Sequence, residues 1–363
     1  MATDEDDTED STGSPSGGTS NGEPAPLGVK MGSTRTVVAR ERGGEIETIQ
    51  DLTCLASYED AISGEEHVLF GEQAAREYPE RVGYMLRTGL PTDEASVEQA
   101  RTYLQEFVAE NDLPENSVAV YAIPSIDNEA GLQRFERAIE DSPVGSRQIR
   151  SYPESLTGAI PAFGDGLEAL DETFIVVNLG STNLEASAYR NGEQLAPFST
   201  GTVTGADVDR EIAKNVEEET QGRVNIDLTT AREYKEAHAD FDDYEPFSDT
   251  IQQPGGGTFE FTVEDAMMDA VDTYLDGVVD EVANDFMPNL DKHHMKIRQR
   301  ALENPIVLTG GMACIPGIET TFADRLSIEL GIDVKAEKPV RPDAAPAVGA
   351  YRIAERLVEL GAY

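Results

Sequence analysis

The sequence predicts an α/β fold assembled from two related lobes. Short apolar runs of strand length recur along the chain and often alternate with helical periodicity, which is typical of α/β proteins. A repeat indicates the duplication. Gly32-Ser33-Thr34 is followed by a stretch of strand length and the turn Arg42-Gly43-Gly44-Glu45. Gly180-Ser181-Thr182 is followed at the same spacing by Arg190-Asn191-Gly192-Glu193. Two hairpins in matching register indicate one structural unit used twice.

The first elements are expected after an acidic tail. Residues 1–27 are rich in Ser, Gly, Thr, Pro and acidic residues and contain no basic residue, so we predict a disordered tail. The folded chain is expected to begin near Gly28. Apolar character and flanking turn residues predict strands at residues 34–40, 46–52, 117–123, 173–177 and 306–308.

Helices are predicted at residues 96–108, 129–139 and 209–219. The clearest pattern is an apolar stripe at three- and four-residue steps from Val263 to Phe286. Pro288 is predicted to end that helix because proline interrupts helical hydrogen bonding. His293 and His294 are then expected in a polar loop, without carboxylates that would complete a metal site.

The large excess of acidic residues limits the molecules that the protein can bind. Of the 363 residues, 70 are Asp or Glu and 28 are Lys or Arg, which gives a formal net charge of −42. Such a surface repels nucleic acid and anionic lipid at long range, so we expect no nucleic-acid partner. Acidic residues in every segment suit a cytoplasm rich in salt, where screening weakens self-repulsion. A specific cationic partner is the alternative explanation.

The cysteines and apolar runs predict a cytosolic protein. Cys54 and Cys314 match no metal-ligand spacing and are expected to be small buried residues in a reducing compartment. No run reaches the ~18 apolar residues of a transmembrane helix, and the N-terminus lacks the pattern of a signal peptide.

The two Gly-Ser-Thr turns predict a phosphate clamp. Glycine lets the backbone approach a ligand closely, successive amides point inward, and two hydroxyls add donors. If Gly32-Ser33-Thr34 and Gly180-Ser181-Thr182 face each other, they would grip a polyphosphate from both sides. The alternative is that each is only a tight hairpin turn.

A further glycine pair predicts a nucleoside site. Gly310, Gly311 and Met312 follow the strand at residues 306–308 and precede a predicted helix. Paired glycines at a strand end leave room for a base or ribose against the backbone. The sequence carries neither the P-loop pattern nor a strand-linked GxGxxG.

Several segments together resemble the actin-like ATPases, especially the bacterial filament protein MreB. The segment IVLTGGMACIPGIETTFADRLSIELGIDV resembles their adenosine motif, and RPDAAPAVGAYRIA resembles their second connecting helix. Gly205-Ala206-Asp207-Val208-Asp209, Thr230-Ala231-Arg232-Glu233-Tyr234-Lys235-Glu236 and Tyr84-Met85-Leu86-Arg87-Thr88-Gly89 resemble other family segments, in the family's order. The resemblance covers about residues 28–357.

The resemblance implies a two-lobed actin-like fold, a duplicated RNase H-like architecture with a nucleotide cleft between the lobes. Lobe I would comprise residues 28–172 and 340–363, with a small subdomain at about 58–90. Lobe II would comprise residues 173–339, with a small subdomain at about 227–261. The nucleoside would lie near Gly205, Asp207, Lys235 and Glu236, together with the glycine pair and Met312.

The phosphate loops depart from the family pattern. Each loop normally begins with an Asp that organises Mg²⁺ and its waters, whereas this chain has Lys30 and Asn178. Lys30 would contact a phosphate as a point charge, and Asn178 would accept a hydrogen bond from a metal-bound water. No residue is assigned as a direct metal ligand. Glu154 begins a segment that resembles the first connecting helix, which implies that it orients the attacking water. The alternative is an exposed Glu at a helix start.

These features predict an ATP- and Mg²⁺-binding cytoskeletal protein that self-associates into filaments. Slow ATP hydrolysis would be coupled to polymerisation. The filament would serve cell shape or intracellular organisation. The acidic composition indicates a halophilic archaeal source, and in this respect the chain resembles the haloarchaeal actin homologues, the group that includes salactin and volactin. A nucleotide-binding scaffold without hydrolysis and a pilus-assembly relative of the same fold are the alternatives. Hsp70-type chaperones and sugar kinases lack support, because no peptide-binding domain or catalytic Asp is evident.

Overall fold

Two five-stranded sheets with the same strand order form the centre of the molecule. The computed structural model describes residues 22–140, 142–253 and 256–363. The first sheet has the strand order β3 (Glu45–Leu52), β2 (Arg35–Arg42), β1 (Ala25–Met31), β7 (Ser117–Ile123) and β8 (Gln148–Pro153). The second has the equivalent order β11 (Glu193–Thr200), β10 (Leu184–Arg190), β9 (Thr173–Leu179), β14 (Ile306–Thr309) and β15 (Ala336–Glu337). In each sheet an antiparallel three-stranded meander continues into two parallel strands. The α/β fold class and the duplication predicted from the repeated hairpins are therefore confirmed.

The elements before residue 172 build the first sheet and its cover. They are β1 (Ala25–Met31), β2 (Arg35–Arg42), β3 (Glu45–Leu52), β4 (Cys54–Glu59), β5 (Glu66–Phe70), α1 (Gly71–Glu77), β6 (Gly83–Tyr84), α2 (Glu94–Glu110), β7 (Ser117–Ile123), α3 (Glu129–Glu140), β8 (Gln148–Pro153) and α4 (Glu154–Ala159).

The elements after residue 172 build the second sheet and its cover. They are β9 (Thr173–Leu179), β10 (Leu184–Arg190), β11 (Glu193–Thr200), α5 (Gly205–Glu219), α6 (Leu228–His238), β12 (Phe247–Gln253), β13 (Gly257–Val263), α7 (Ala266–Glu281), α8 (Met287–Ala301), β14 (Ile306–Thr309), α9 (Ile318–Leu330), β15 (Ala336–Glu337) and α10 (Ala345–Glu359).

The second turn of each meander has the same backbone geometry. Gly43 and Gly44 have φ of 70° and 89°, and Asn191 and Gly192 have φ of 51° and 73°. Positive φ at both central residues is the type I′ hairpin geometry, which favours Asn and Gly. The shared turn residues therefore fix the same hairpin in both sheets.

One shared core joins the two sheets. It contains Val120 of β7, Val176 of β9, Leu156 of α4 and Ala354 of α10, all nearly or fully buried. α10 crosses back onto β1, where Gly28 gives the helix backbone room. A Cβ on Gly28 would lie 2.0 Å from the Ala347 carbonyl oxygen. The C-terminal helix therefore belongs to the first sheet, although it follows the second in sequence.

The helix after β13 does not end at Pro288. α7 continues through a π-helical turn at Val282–Phe286 into α8, and Pro288 occupies the first turn of α8. The Met287 amide donates to the Val282 carbonyl five residues earlier, so the proline falls where the hydrogen-bond register has already changed. The predicted polar loop at His293 and His294 is therefore wrong; both lie in α8, where His294 has non-helical torsions.

Smaller elements extend from each sheet. β4, β5 and β6 form a three-stranded sheet at one edge of the predicted 58–90 subdomain, and α6 with the β12–β13 hairpin covers the predicted 227–261 subdomain. The exact lobe boundaries stay predictions. At the N-terminus β1 begins at Ala25, three residues before the expected start, and the predicted tail up to residue 21 lies outside the described residues.

Candidate functional site

The two Gly-Ser-Thr turns meet between the sheets. The hydroxyls of Ser33 and Thr182 are 2.8 Å apart, and Thr34 Oγ1 donates to Ser181 Oγ at 2.9 Å. Each turn is closed by the same backbone bond, from the Gly32 amide to the residue-35 carbonyl and from the Gly180 amide to the residue-183 carbonyl, both 3.0 Å. The hairpins lie on opposite sheets yet present their hydroxyls to each other.

Two adjacent cavities open along this line of contact. The smaller has a volume of about 100 Å³ and is lined by both turns and by Lys30, Glu154, Asn178 and Glu185. The larger has a volume of about 290 Å³ and is lined by Gly205, Lys235, Glu236, Gly311 and Met312, among others. Both cavities share Thr34, Arg35, Gln50, Ser181, Gly311 and Asp343. They therefore form neighbouring chambers of one cleft.

Two acidic side chains and one ammonium group that line the smaller cavity are largely buried. Glu154, the first residue of α4, is buried, and its carboxylate lies 3.4 Å from the Lys30 ammonium. Glu185 on β10 is 2% exposed and accepts a hydrogen bond from the Ser125 amide at 3.0 Å. Burial, with the nearby Glu154 charge, raises the pKa of Glu185 to about 8, although the Ser125 amide and Lys30 favour its charged form.

Asn178, near the end of β9, holds the position in the second repeat that Lys30 holds in the first. It is 3% exposed and pairs across the sheet with Glu185, as Lys30 pairs with Val37 in the first sheet. Within the described part of the chain its Oδ1 has no hydrogen-bond partner. A buried acceptor without a partner is costly, so this oxygen can take a donor that arrives with a ligand.

Two ion pairs line the larger cavity. The Lys235 ammonium contacts Asp209 at 2.5 Å and the Gly205 carbonyl oxygen at 3.1 Å. Burial raises the pKa of Asp209, although Lys235 favours the charged carboxylate. Glu236 accepts two hydrogen bonds from Arg35, at 2.7 and 2.8 Å.

The predicted nucleoside residues divide into two groups. Gly205, Lys235, Glu236, Gly311 and Met312 line the larger cavity. Asp207 and Gly310 are outside the lining of both cavities among the described residues. The Asp207 side chain bonds Thr204 and Arg210 at the start of α5. Gly310 has φ of 91° and packs behind the cavity, where a Cβ would lie 2.6 Å from Asn178 Oδ1.

Among the cavity residues that sequence reasoning missed are Arg35, Gln50, Glu185 and Asp343. Arg35 directly follows the first turn, and Glu185 holds the position in the second repeat that Val37 holds in the first. Alignment of the repeats would have shown this unmatched acidic residue. Cys54 is buried as expected, whereas the same expectation is wrong for Cys314, which is exposed beside the larger cavity.

Comparison with known proteins identifies the family. The family model described as Salactin matches residues 24–358. The chain is 63% identical over 360 residues to Salactin of Halobacterium salinarum, which covers 99% of both proteins. This chain belongs to the salactin family.

Solved structures similar to this salactin-family chain have the actin-like fold. MreB5 of Spiroplasma citri bound to ADP superposes with a TM-score of 0.75 at 15% identity, over 94% of this chain and 99% of that one. The MamK double helical filament gives 0.73 at 19% identity, over 91% and 98%. The expected two-lobed actin-like fold is confirmed. Among the described residues, no helix combines the length and apolar character that a membrane span requires.

Proposed function

We propose that this protein binds ATP in the cleft between the two sheets and assembles into cytoskeletal filaments. One observation carries the proposal: the two Gly-Ser-Thr turns, from equivalent hairpins of a duplicated fold, are hydrogen-bonded to each other across the cleft. Four hydroxyls meet there, and hydroxyl groups can donate hydrogen bonds to the oxygens of a polyphosphate. MreB5 of Spiroplasma citri, whose fold this chain shares, has been solved with ADP and with AMPPNP.

The cavities suggest the orientation of the nucleotide. The larger cavity, lined by Gly311 and Met312, would hold the nucleoside, and the smaller would hold the terminal phosphates. To enter, the phosphates replace the direct contacts between Ser33 and Thr182 and between Thr34 and Ser181. A bound phosphate then joins the two lobes through hydrogen bonds to both turns. Occupancy of the cleft thereby sets the relative position of the lobes.

The smaller cavity is lined by many oxygen atoms and fits Mg²⁺ held by phosphate oxygens and water. The described residues contain no group of three or more His, Cys, Asp or Glu side chains placed to hold a metal ion. The unpartnered Asn178 Oδ1 is suited to accept a hydrogen bond from a metal-bound water. The ion would neutralise phosphate charge, and Lys30 would supply a second positive charge in the same cavity.

We propose that Glu154 orients a water molecule for attack on the terminal phosphate. It is buried and lines the smaller cavity, and the Lys30 ammonium holds its carboxylate from one side. Phosphoryl transfer needs mainly positioning and charge neutralisation, which these two residues would provide. We propose that the resulting slow ATPase weakens the filament after assembly.

The proposed role of the filament is in cell shape or intracellular organisation. MamK, similar in fold, has been solved as a double helical filament. A relative from Halobacterium salinarum and a net charge of −42 support assembly in a cytoplasm rich in salt, where the Debye length shrinks to about 3 Å at 1 M salt. Screening then lets strongly acidic protomers approach one another.

Electron microscopy of the purified protein in molar KCl, with and without ATP and Mg²⁺, tests the assembly. We expect helical filaments that depend on nucleotide. If both samples contain only dispersed particles across a range of protein concentrations, the cytoskeletal proposal fails.

Phosphate release tests the hydrolysis. Glu154→Ala should lower the rate at least about 100-fold while filaments still form. Glu193→Gln, an exposed change on β11, serves as the matched control. Filaments without phosphate release in the wild type would favour a second function, a nucleotide-binding scaffold that does not hydrolyse ATP. The replacement of both family aspartates by Lys30 and Asn178 supports that alternative.

A further inference from the structure

An ion pair joins the two sides of the cleft at the junction of its two chambers. Arg35 begins β2 and Glu236 lies on α6, 201 residues away. The guanidinium donates to both carboxylate oxygens, at 2.7 and 2.8 Å, so the pair is bidentate. The two side chains are 30% and 39% exposed, and solvent can therefore reach the pair.

Arg35 lies where a bound nucleotide would have to pass. It lines both the larger cavity, which we call the nucleoside chamber, and the smaller cavity, which we call the phosphate chamber. Thr34 and Ser181 line both as well. A polyphosphate that connects the two chambers runs past this guanidinium. Arginine is the side chain best suited to that contact, because its planar fork matches two phosphate oxygens at once.

The charges around the cleft favour an exchange of partners. The carboxylates of Glu154 and Asp343 line the phosphate chamber, whereas Lys30 and Arg35 are its only Lys or Arg side chains among the described residues. Lys30 already pairs with Glu154. The Lys30 side chain is 15% exposed and paired with the buried Glu154, whereas the Arg35 side chain is 30% exposed, so the Arg35 guanidinium is the cation that an entering polyphosphate can recruit more easily.

Glu236 keeps a partner after such an exchange. Arg232, one helical turn earlier on α6, lies 4.0 Å from the Glu236 carboxylate. The Arg232 guanidinium also donates to the Tyr84 hydroxyl at 2.7 Å, which fixes its position. The carboxylate would then remain beside a cation, which lowers the cost of releasing Arg35.

We infer that Arg35 is a nucleotide-binding residue for the polyphosphate and that Glu236 holds it away from this role in the empty protein. This inference rests on the proposed ATP site and assigns Glu236 differently from the family resemblance, which implies a contact with the nucleoside. Nucleotide binding then breaks the ion pair between the two sides of the cleft and forms a phosphate contact in its place.

Calorimetric titration with adenosine, ADP and ATP in molar KCl separates the possible roles. Arg35→Ala should weaken ADP and ATP binding about tenfold or more, while adenosine binding changes less than about twofold. Glu236→Gln removes the competitor and should tighten ADP and ATP binding several-fold. Arg42→Ala, a change to an exposed arginine on the same strand, is the matched control and should leave all three affinities unchanged.

Three results would overturn the inference. Unchanged ADP and ATP affinity in Arg35→Ala would remove the phosphate contact. An equal loss for adenosine would show that Arg35 acts only on the shape of the cleft, and a melting curve like the wild type would rule out unfolding as its cause. Weaker binding of all three ligands in Glu236→Gln would place that carboxylate on the nucleoside. If the wild-type protein binds neither adenosine, ADP nor ATP, the proposed ATP-binding function is refuted together with the inference.

Discussion

Replacing Glu185 by Gln should change how the stability of the protein depends on pH. Glu185 is buried, the Ser125 amide donates to it, and the charges of Glu154 and Lys30 act on it. Its pKa rises from the ordinary value of 4.5 to about 8, chiefly because burial disfavours the carboxylate. Glutamine resembles the protonated acid in shape and keeps the hydrogen bond from Ser125, so the fold should accept it.

The sign and size of the effect follow from proton binding. Between pH 4.5 and about 8 the folded chain holds a proton on Glu185 that the unfolded chain has lost. The free energy of unfolding of the wild type therefore falls as the pH rises, by about 1.4 kcal/mol per pH unit from this group. Above about pH 8 the contribution levels off, after a total of at most about 5 kcal/mol. Glu185→Gln loses this dependence, so its stability relative to the wild type should increase over the same range.

Urea denaturation of both proteins at unit steps from pH 5 to pH 9, at constant KCl, measures the difference. Subtraction of the two curves removes the contributions of the other titrating groups, and Glu193→Gln controls for the loss of a carboxylate at the surface. If the difference between wild type and Glu185→Gln stays constant within about 0.5 kcal/mol across the range, Glu185 is charged in the folded protein and the reasoning is refuted.

Three further experiments test the packing and the cleft. Gly28→Ala should lower the free energy of unfolding by about 3 kcal/mol or more in urea titrations, because its Cβ would strike the backbone of α10. Asp209→Ala should cost a similar amount, because it leaves the Lys235 ammonium buried. Asp209→Leu combined with Lys235→Met should recover most of that loss. A double-mutant cycle of Ser33→Ala and Thr182→Ala should give a coupling of about 1 kcal/mol in the absence of nucleotide, measured by the same denaturation.

Each expectation has a contrary result. Wild-type stability in Gly28→Ala would mean that α10 does not approach β1 so closely. A double replacement of Asp209 and Lys235 as unstable as Asp209→Ala would show that their pairing is not the cause. Strictly additive effects of Ser33 and Thr182 would show that the two turns do not touch in the free protein.

The repeated hairpins were predictable from sequence because their turns depend on local backbone chemistry. Asn191 and Gly192, like Gly43 and Gly44, adopt positive φ at low cost, and few other residues do. The end of the long helix was not predictable in the same way. The rule that proline stops a helix is local, whereas the π-helical turn before Pro288 places Val282, Phe286 and Met287 in the core.

The cleft was predicted in outline and its charges were not. The matching turns indicated two phosphate-binding loops, and the structure brings Ser33 and Thr182 into contact. Arg35 and Glu185 were missed because a charged residue in a strongly acidic sequence is normally explained as surface. Their importance depends on burial and on partners far away in the chain, which no local pattern contains.

The sequence by itself determined the local units of this protein: strands of apolar runs, turns that require glycine or asparagine, and the use of one hairpin twice. These follow from the torsional preferences of each residue and from hydrophobic periodicity, which act over short distances. Only the tertiary structure decided that the two hairpins meet, that Arg35 pairs with Glu236 and that the pKa of Glu185 rises. Electrostatic energy depends on distance in space and on exclusion of water, and both arise only when distant segments pack together.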